Sequence, residues 1–222
     1  MGTESENTLK IGVLGTGMVG RAIGARLVGA GHQVTMGART AGNIAAQDWA
    51  AETGAGASAG TFAEAAAGAD LVFLCVKGEH ALAVVEAAGL AAGQVVVDIT
   101  NPLDFSKGFP PTLSVCNTDS LGEQIQRAVP GVHVVKSLNT LTAALMLDPG
   151  QLPEPTAVFV SGNDAGAKAT VTALLQSFGW EQIIDLGDIT TARGTESWLP
   201  LWVRLYGAQK SPMFNLRIVQ KG

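Results

Sequence analysis

The first chemically informative residues are three glycines at fixed spacing near the start of the chain. They belong to a turn made of Gly15, Thr16, Gly17, Met18, Val19 and Gly20. The turn directly follows the apolar stretch Lys10–Leu14 and precedes a segment whose apolar residues have helical spacing. In such a unit the first glycine permits a tight turn, the second lets backbone N–H groups approach a diphosphate, and the third lets helix and strand pack closely. The sequence therefore predicts a dinucleotide diphosphate bound at a helix N-terminus.

The residues expected at the adenosine ribose follow about 20 positions later, where NAD-binding proteins carry an acid that binds the 2′-hydroxyl. This chain has no acidic residue from Arg21 to Gln47, and it has Arg39 and Thr40 where the acid is expected. An acid would repel a 2′-phosphate, whereas a guanidinium can bind it bidentately. We therefore predict NADP(H) rather than NAD(H), bound by Arg39 with Thr40 and nearby backbone N–H groups as further donors.

Three more segments follow predicted strands. A ligand of an open parallel sheet crosses the carboxyl ends of the strands, so residues there are candidates for cofactor contacts. From these segments we select Lys77, His80, Thr100, Asn101, Pro102 and Asn139. Polar groups after Val95–Ile99 and Val132–Ser137 are predicted to bind the nicotinamide carboxamide and ribose. His80 is predicted to lie near the adenosine or the phosphates, with an ordinary solvent-exposed loop histidine as the alternative.

Short β-branched runs alternate with longer Ala- and Leu-rich segments, which is typical of parallel β-α-β units. Strands are predicted at Lys10–Leu14, Gln33–Gly37, Leu71–Val76, Val95–Ile99, Val132–Ser137, Thr156–Ser161 and Gln182–Leu186, with weaker signals at Gly56–Ser58 and Phe214–Val219. Helices are predicted at Met18–Ala30, Ile44–Thr53, Thr61–Ala67, His80–Ala88, Leu121–Ala128, Ala165–Phe178 and Thr191–Gly207. Pro200 is expected to bend the last of these or to mark a late start. We expect an α/β fold, a Rossmann-like doubly wound, mostly parallel sheet of about seven or eight strands with helices on both faces.

No linker or repeat divides this pattern. We therefore expect a single domain over residues 9–220, preceded by a disordered tail of residues 1–8. The segment from Asn101 to Asn117 is the longest irregular stretch, and long loops in compact domains are often functional.

Composition and charge argue against several classes of function. The chain has 222 residues, 15% of them charged, and a net charge of −5, which disfavours nucleic-acid and anionic-membrane partners. No apolar stretch is long enough for a membrane span, and the polar start differs from a signal peptide. Cys75 and Cys116 form no zinc pattern and no disulfide framework. We expect a soluble cytoplasmic protein with small-molecule cofactors and no metal.

Reduction of a carbonyl requires a proton donor near the hydride path, usually Lys, His or Tyr. The single tyrosine, Tyr206, lies near the C-terminus, and Lys136 falls within a predicted strand whose inner face should be apolar. Hydride transfer to a flavin-like ring needs no such donor at carbon, because the ring delocalises the charge. We therefore name no catalytic side chain and keep Lys136 as the acid of a less favoured reaction.

Taken together, these motifs resemble the NADPH-dependent reductases of the deazaflavin coenzyme F420, from Lys10 to Val219. The resemblance rests on the glycine turn, Gly37–Arg39, Glu79–His80, Asn139–Ala143, Gly162–Asp164 with Lys168, and Glu196–Gly207. It implies that Thr16–Val19 hold the diphosphate, Ala38 with Arg39 the 2′-phosphate, that Val76 and His80 line the cofactor, that Ala143 lies near the nicotinamide, and that the segment around Phe214 faces the deazaflavin. It also implies a homodimer and direct hydride transfer between NADPH and the deazaflavin.

Two positions depart from the archaeal pattern of this family. Ala38 stands where those members have serine, and Asn139–Ala143 (NTLTA) replaces a segment of the type HTIPA. The second change falls where the hydride acceptor should bind, so F420, FMN, FAD or another acceptor stay open. We expect the acceptor pocket to combine Asn139–Ala143, Thr100–Pro102 and the helix around Trp198–Tyr206. The alternatives are a redox sensor that binds NADP(H) without turnover, and a small imine or carbonyl reductase that uses Lys136.

Overall fold

A computed structural model describes residues 8–221 of the chain. Within these residues the main sheet contains β1 (Lys10–Leu14), β2 (Gln33–Ala38), β3 (Ala57–Thr61), β4 (Leu71–Leu74), β5 (Val95–Asp98), β8 (His133–Ser137), β9 (Ala157–Gly162) and β10 (Gln182–Gly187). A separate antiparallel hairpin is formed by β6 (Leu103–Asp104) and β7 (Thr112–Leu113). The helices are α1 (Met18–Gly29), α2 (Ile44–Thr53), α3 (Phe62–Ala66), α4 (Ala81–Ala88), α5 (Leu121–Ala128), α6 (Ala143–Leu147), α7 (Ala165–Ser177), α8 (Ala192–Ser197) and α9 (Leu199–Gln209).

The strands lie in the order β10-β9-β8-β5-β4-β1-β2-β3. All neighbours are parallel except β8 and β9, which are antiparallel. From β1, the strands β2 and β3 follow toward one edge of the sheet. β4 lies on the other side of β1, and the later strands follow toward the opposite edge, so the strand order reverses between β1 and β4. An open α/β sheet binds its ligand in the crevice outside the carboxyl ends of the strands at such a reversal. The predicted doubly wound fold is confirmed.

The strands are apolar along their length because helices cover both faces of the sheet. Successive residues of one strand enter different cores, since strand side chains alternate between faces. Val13 and Phe73 lie in the core that α1, α6 and α7 cover, while Leu14 and Leu74 lie in the core that α3, α4 and α5 cover. Two-sided burial of β1 and β4 places the start of the glycine turn on a rigid support.

The predictions for the C-terminal part were wrong in two places. The single helix expected at Thr191–Gly207 is two helices that meet at Trp198, and Pro200 lies in the first turn of the second, where its missing N–H costs no hydrogen bond. The strand expected at Phe214–Val219 does not form. One backbone bond, from Ala157 N to Leu216 O, joins this segment to the sheet. β9 already pairs with β10 and with β8, so little of its edge is left for another strand.

Two elements were not predicted within the stretches assigned to loops. The hairpin β6–β7 lies inside the segment from Asn101 to Asn117, and α6 follows Thr142. Most of the expected tail, residues 1–7, lies outside the described residues. Between Thr8 and Lys221, no helix combines the length and the apolar character that a membrane crossing requires.

Candidate functional site

The glycine turn connects β1 to α1 at the carboxyl edge of the sheet. Gly15 has φ +126°, and a Cβ there would lie 2.3 Å from the carbonyl oxygen of Cys75. A Cβ at Gly20 would lie 2.2 Å from the carbonyl oxygen of Gly15. Both positions therefore require glycine so that the turn can pack against the neighbouring strand and against itself.

Gly17 has a different role in the same turn. A Cβ at this position would meet no atom within 4 Å, so the space in front of it is open. Gly17 is the N-cap of α1, no side chain caps the helix, and its first turn contains no acidic residue. The first N–H groups of α1 are thus left for an external anion, and the positive end of the helix dipole faces the same space. These features fit a dinucleotide diphosphate.

Arg39 and Thr40 lie directly after β2, which is the neighbour of β1 in the sheet. Both residues are exposed, whereas Ala38 before them is buried in the core. The N–H group of Gly15 donates to the carbonyl oxygen of Gly37 at 3.0 Å, which connects the glycine turn with the end of β2. The guanidinium of Arg39 is therefore available to a phosphate on the adenosine side of a dinucleotide.

A cavity of about 500 Å³, here called the nucleotide cleft, runs from the glycine turn across the ends of β4, β5 and β8. Its predicted lining residues are Gly15–Val19, Val76, Lys77, His80, Asn101 and Asn139. Sequence reasoning missed Cys75, Ile99 and Met146 as lining residues and named Leu141 only within a longer segment. The nucleotide cleft has the size range of small-molecule sites, about 300–1,000 Å³.

Two asparagine side chains hold the ends of β5 and β8 together inside the cleft. Asn101 Nδ2 donates to the carbonyl oxygen of Asn139 at 2.8 Å, and Asn139 Nδ2 donates to Asn101 Oδ1 at 2.9 Å. Asn139 is buried and follows Leu138, a non-glycine residue with φ +60°. The reciprocal pair fixes the amide groups on the far side of the cleft from Arg39.

Behind this pair lies a fully buried ion cluster. Lys136 Nζ donates to Asp98 Oδ2 at 2.9 Å and to the carbonyl oxygen of Thr100 at 2.6 Å, and it lies 2.8 Å from Glu196 Oε1. Burial alone would lower the pKa of Lys136, but the charges and hydrogen bonds of Asp98 and Glu196 outweigh it and raise that pKa.

The ammonium group has three protons, and three oxygen partners surround it. All three protons of the Lys136 ammonium group are therefore held by buried partners, which disfavours the alternative in which Lys136 is the acid of a carbonyl reductase. The carboxylate of Glu196 also accepts hydrogen bonds from the N–H groups of Leu121 and Gly122, at 2.8 and 3.0 Å. Its carboxylate thus lies at the N-terminus of α5, where the helix dipole stabilises negative charge.

Four predicted contact residues, Thr100, Pro102, Ala143 and Phe214, do not line the nucleotide cleft. Thr100 is buried, and its hydroxyl donates to Asp98 Oδ1 at 2.6 Å. Pro102, Ala143 and Phe214 also do not line the cavity that adjoins the nucleotide cleft. The ring of Phe214 packs against Trp202 at 5.4 Å between centroids, and no residue of α9 lines either cavity. The roles of these four residues stay predictions.

A second cavity of about 590 Å³, here called the side cavity, adjoins the nucleotide cleft. It shares Val76, Lys77, Ile99 and Asn101 with the cleft. Leu103, Asp104 and Phe105 form part of its other wall, in the hairpin region that the sequence had not revealed. The two cavities thus meet over the carboxyl ends of β4 and β5.

Comparison with known proteins places this geometry in a family. A sequence family described as NADP oxidoreductase, coenzyme F420-dependent, matches residues 10–102. The crystal structure of a protein from Arthrobacter sp. FB24, assigned as an F420-dependent NADP-reductase, is 50% identical, with a TM-score of 0.91 over 96% of this chain and 100% of that one.

Two more distant similarities concern the sequence and the fold. Metalloreductase STEAP3 of Rattus norvegicus is 28% identical over 91% of this chain. The chain spans 38% of the length of that curated relative. A reductive aminase from Aspergillus terreus, solved with NADPH, shares the fold with a TM-score of 0.62 at 19% identity, over 92% of this chain and 63% of that one.

The 50% identity applies to an alignment that covers 96% of this chain. The chain binds NADP(H), and its reaction class is oxidation–reduction. It is a member of the coenzyme F420-dependent NADP oxidoreductase family.

Proposed function

We propose that the protein transfers a hydride between NADPH and a flavin-like ring, either the deazaflavin of coenzyme F420 or a flavin. The observation that carries this proposal is the lining of the cleft beyond the glycine turn. Apolar side chains of Ile99, Leu141 and Met146 lie there with the amides of Asn101 and Asn139. Such a lining orients stacked rings by contact and hydrogen bonding, and none of these five side chains is an acid for a developing alkoxide.

We assign the nucleotide contacts along the cleft from one end to the other. Arg39, with Thr40 and the backbone at Ala38, binds the 2′-phosphate. The backbone N–H groups from Thr16 to Val19 bind the diphosphate at the start of α1. The reciprocal pair of Asn101 and Asn139 holds amide groups for the nicotinamide carboxamide or its ribose, with the orientation that their mutual hydrogen bonds impose.

When bound, NADPH supplies a hydride, which is two electrons and one proton, and the reduced acceptor takes any further proton from water. The chain contributes position and a dry surface rather than proton transfer. The ionisable side chains lining the cleft are Cys75, Lys77 and His80. Burial, with the negative charge of Asp98, raises the pKa of the Cys75 thiol well above its usual range, so Cys75 stays protonated. Lys77 and His80 are exposed at the rim.

The test is an anaerobic mixture of purified protein with NADPH and, separately, coenzyme F420, FMN, riboflavin and a ferric chelate. We expect NADPH oxidation with F420 and much slower oxidation when NADH replaces NADPH. Turnover with FMN or riboflavin but not with F420 would leave a flavin reductase. Tight NADPH binding with no turnover of any acceptor would support a redox sensor instead.

We also propose that the protein forms a homodimer through its C-terminal end. Leu201, Tyr206 and Val219 expose apolar surface there, and β10 is an edge strand. An exposed apolar surface beside an unpaired strand edge is typical of an interface between copies of a chain.

The mass in solution, measured by light scattering, tests this interface. Leu201→Glu places a charge on the proposed contact and is expected to shift the protein to monomer. Ile44→Glu, a matched change at an exposed apolar residue of α2, should leave the mass unchanged. A monomeric wild-type protein would refute the homodimer.

A further inference from the structure

The side cavity has the construction of a ligand site. Val76, Ile99, Leu103 and Phe105 give it apolar walls, while Asn101 and Ser106 add groups that donate and accept hydrogen bonds. Small-molecule sites combine a mostly apolar lining with a few polar groups in this way. Its volume of about 590 Å³ also lies within their range.

The position of the side cavity relates it to hydride transfer. The nucleotide cleft and the side cavity share Val76 and Ile99 at the ends of β4 and β5. The glycine turn and α6 border only the nucleotide cleft, whereas the hairpin β6–β7 borders only the side cavity. A nicotinamide ring placed across the shared residues would therefore have one open side facing the side cavity.

Asn101 lies at this junction and lines both cavities. Its side chain is held by Asn139 on the cleft side, and its carbonyl oxygen lies where a Cβ at Gly78 would approach to 2.1 Å. The close approach of Gly78 pins the backbone of Asn101 against the short turn before α4. The boundary between the two cavities is thus fixed from both sides rather than formed by a mobile loop.

The hairpin region supplies an aromatic surface at the mouth of the side cavity. Phe105 is 57% exposed and lines the cavity. Exposed aromatic rings that are already positioned can stack on planar ligands at small entropic cost. This surface matches a flat fused ring better than a metal chelate or an aliphatic substrate.

The charges of the side cavity limit which part of an acceptor can enter. Lys77 carries one positive charge, and Glu79 and Asp104 carry two negative charges. The carboxylate of Asp104 accepts from Ser106 N at 2.8 Å, and backbone and side-chain hydrogen bonds from Ser106 lower its pKa, so it remains ionised at neutral pH. A phosphate or carboxylate inside the cavity would be repelled by this balance.

From these features we propose that the side cavity is the acceptor site, which takes the uncharged ring of a planar heteroaromatic hydride acceptor and leaves any anionic tail in solvent. This inference rests on the proposed function. It places the acceptor opposite the face of the cleft that α6 borders, with the hairpin β6–β7 and Phe105 as the recognition element. This location replaces the pocket expected from Asn139–Ala143 and the helix around Trp198–Tyr206.

The test measures binding as well as turnover, so that the two proposals can fail separately. Protein saturated with NADP⁺ is titrated with oxidised riboflavin, FMN and coenzyme F420, and ring binding is followed by fluorescence. We expect at least one of these rings to bind, and FMN to bind no more tightly than riboflavin. Binding without hydride transfer would refute the proposed function but support the side cavity as a site for the ring. No binding of any ring to wild-type protein would overturn the acceptor site.

A filling substitution then locates the bound ring. Ser106 is exposed and lines the side cavity, and the bond from its N–H group to Asp104 survives replacement of the side chain. Ser106→Trp should raise the dissociation constant of the ring about tenfold or more while the NADPH dissociation constant changes less than about twofold. Lys107→Trp adds the same bulk at the next residue, which does not line the cavity, and should change neither constant.

A second substitution tests the aromatic surface. Phe105→Ala is expected to weaken ring binding by about two- to tenfold, the range that one aromatic contact supplies. Unchanged ring binding in both Ser106→Trp and Phe105→Ala would overturn the proposal. An equal loss of NADPH and ring binding in Ser106→Trp would also overturn it, because the side cavity would then belong to the nucleotide site.

Discussion

Lys136 of β8 and Glu196 of α8 form an ion pair in the interior, with 2.8 Å between Nζ and Oε1. The same carboxylate accepts the N–H groups of Leu121 and Gly122, and the same ammonium group reaches Asp98. One buried glutamate therefore joins the C-terminal helices to the sheet and to α5.

Lys136→Met should lower the free energy of unfolding by about 3–5 kcal/mol, because it leaves two buried carboxylates without their cation. Urea unfolding measures this loss. Lys168→Met is the matched control, since the Lys168–Asp185 pair has a carboxylate that is 55% exposed. Such a surface pair contributes about 0–1 kcal/mol. Similar losses in both variants would contradict a special contribution of the interior cluster.

Gly17→Ala and Gly20→Ala should separate binding from folding within one turn. The Cβ at Gly17 meets open space, so the fold should be retained while the methyl group occupies room needed by the diphosphate and weakens NADPH binding by about tenfold. Gly20→Ala should instead lower the melting temperature, since its Cβ would collide with backbone at 2.2 Å. Fluorescence titration and thermal unfolding distinguish the two. Identical behaviour of the variants would contradict the assignment.

Arg39→Ala should weaken NADPH binding by about ten- to a hundredfold, the value of one charge-assisted bidentate contact, and leave NADH binding nearly unchanged. The ratio of the two dissociation constants is the measurement, because it cancels general effects on the cleft. Arg26→Ala, an exposed arginine in the last turn of α1, should preserve the ratio. A preserved ratio in Arg39→Ala would refute the 2′-phosphate contact.

Asp119→Asn should remove part of the pH dependence of stability. Two hydrogen bonds from Arg127, at 3.0 and 2.7 Å, are the main cause that lowers the pKa of Asp119 from 3.8 to about 2. The ion pair therefore stabilises the fold above about pH 4, and this contribution is lost as the pH falls toward 2.

Because Arg127 is largely exposed, the difference in unfolding free energy between wild type and Asp119→Asn should be about 1 kcal/mol or less at neutral pH. It should shrink between about pH 4 and pH 2. Arg127→Ala should show the same trend, since it removes the other partner. A difference that stays constant over this range would rule out the pair as its source.

The sequence predicted most of the sheet because its strands are short, apolar and separated by helices. The strand β1 and the helices α2 and α5 have the predicted limits. The hairpin β6–β7 was missed because each of its strands has two residues, too few to show a pattern. The break at Trp198 could not be predicted, because Pro200 is compatible both with a bend in one helix and with the start of a second helix.

The candidate site was predictable where function depends on local spacing. The glycine turn and Arg39 follow from order along the chain and lie beside one another at the ends of β1 and β2. The partners of Lys136 were not predictable, because Asp98 and Glu196 are 38 and 60 residues away in sequence (136 − 98 and 196 − 136) and meet only in the folded chain. Met146 was missed for a different reason, since its helix α6 was not predicted.

The reaction rates of the two cysteines can be compared to measure how often the glycine turn opens. Cys75 packs behind Gly15 and Gly20 and is buried, while Cys116 is exposed. A thiol reagent should modify Cys116 at the rate of the chemistry itself, whereas Cys75 must wait for the end of β4 to separate from the turn. The ratio of the two modification rates in one sample therefore reports how often the phosphate-binding region opens, and the measurement needs no substitution.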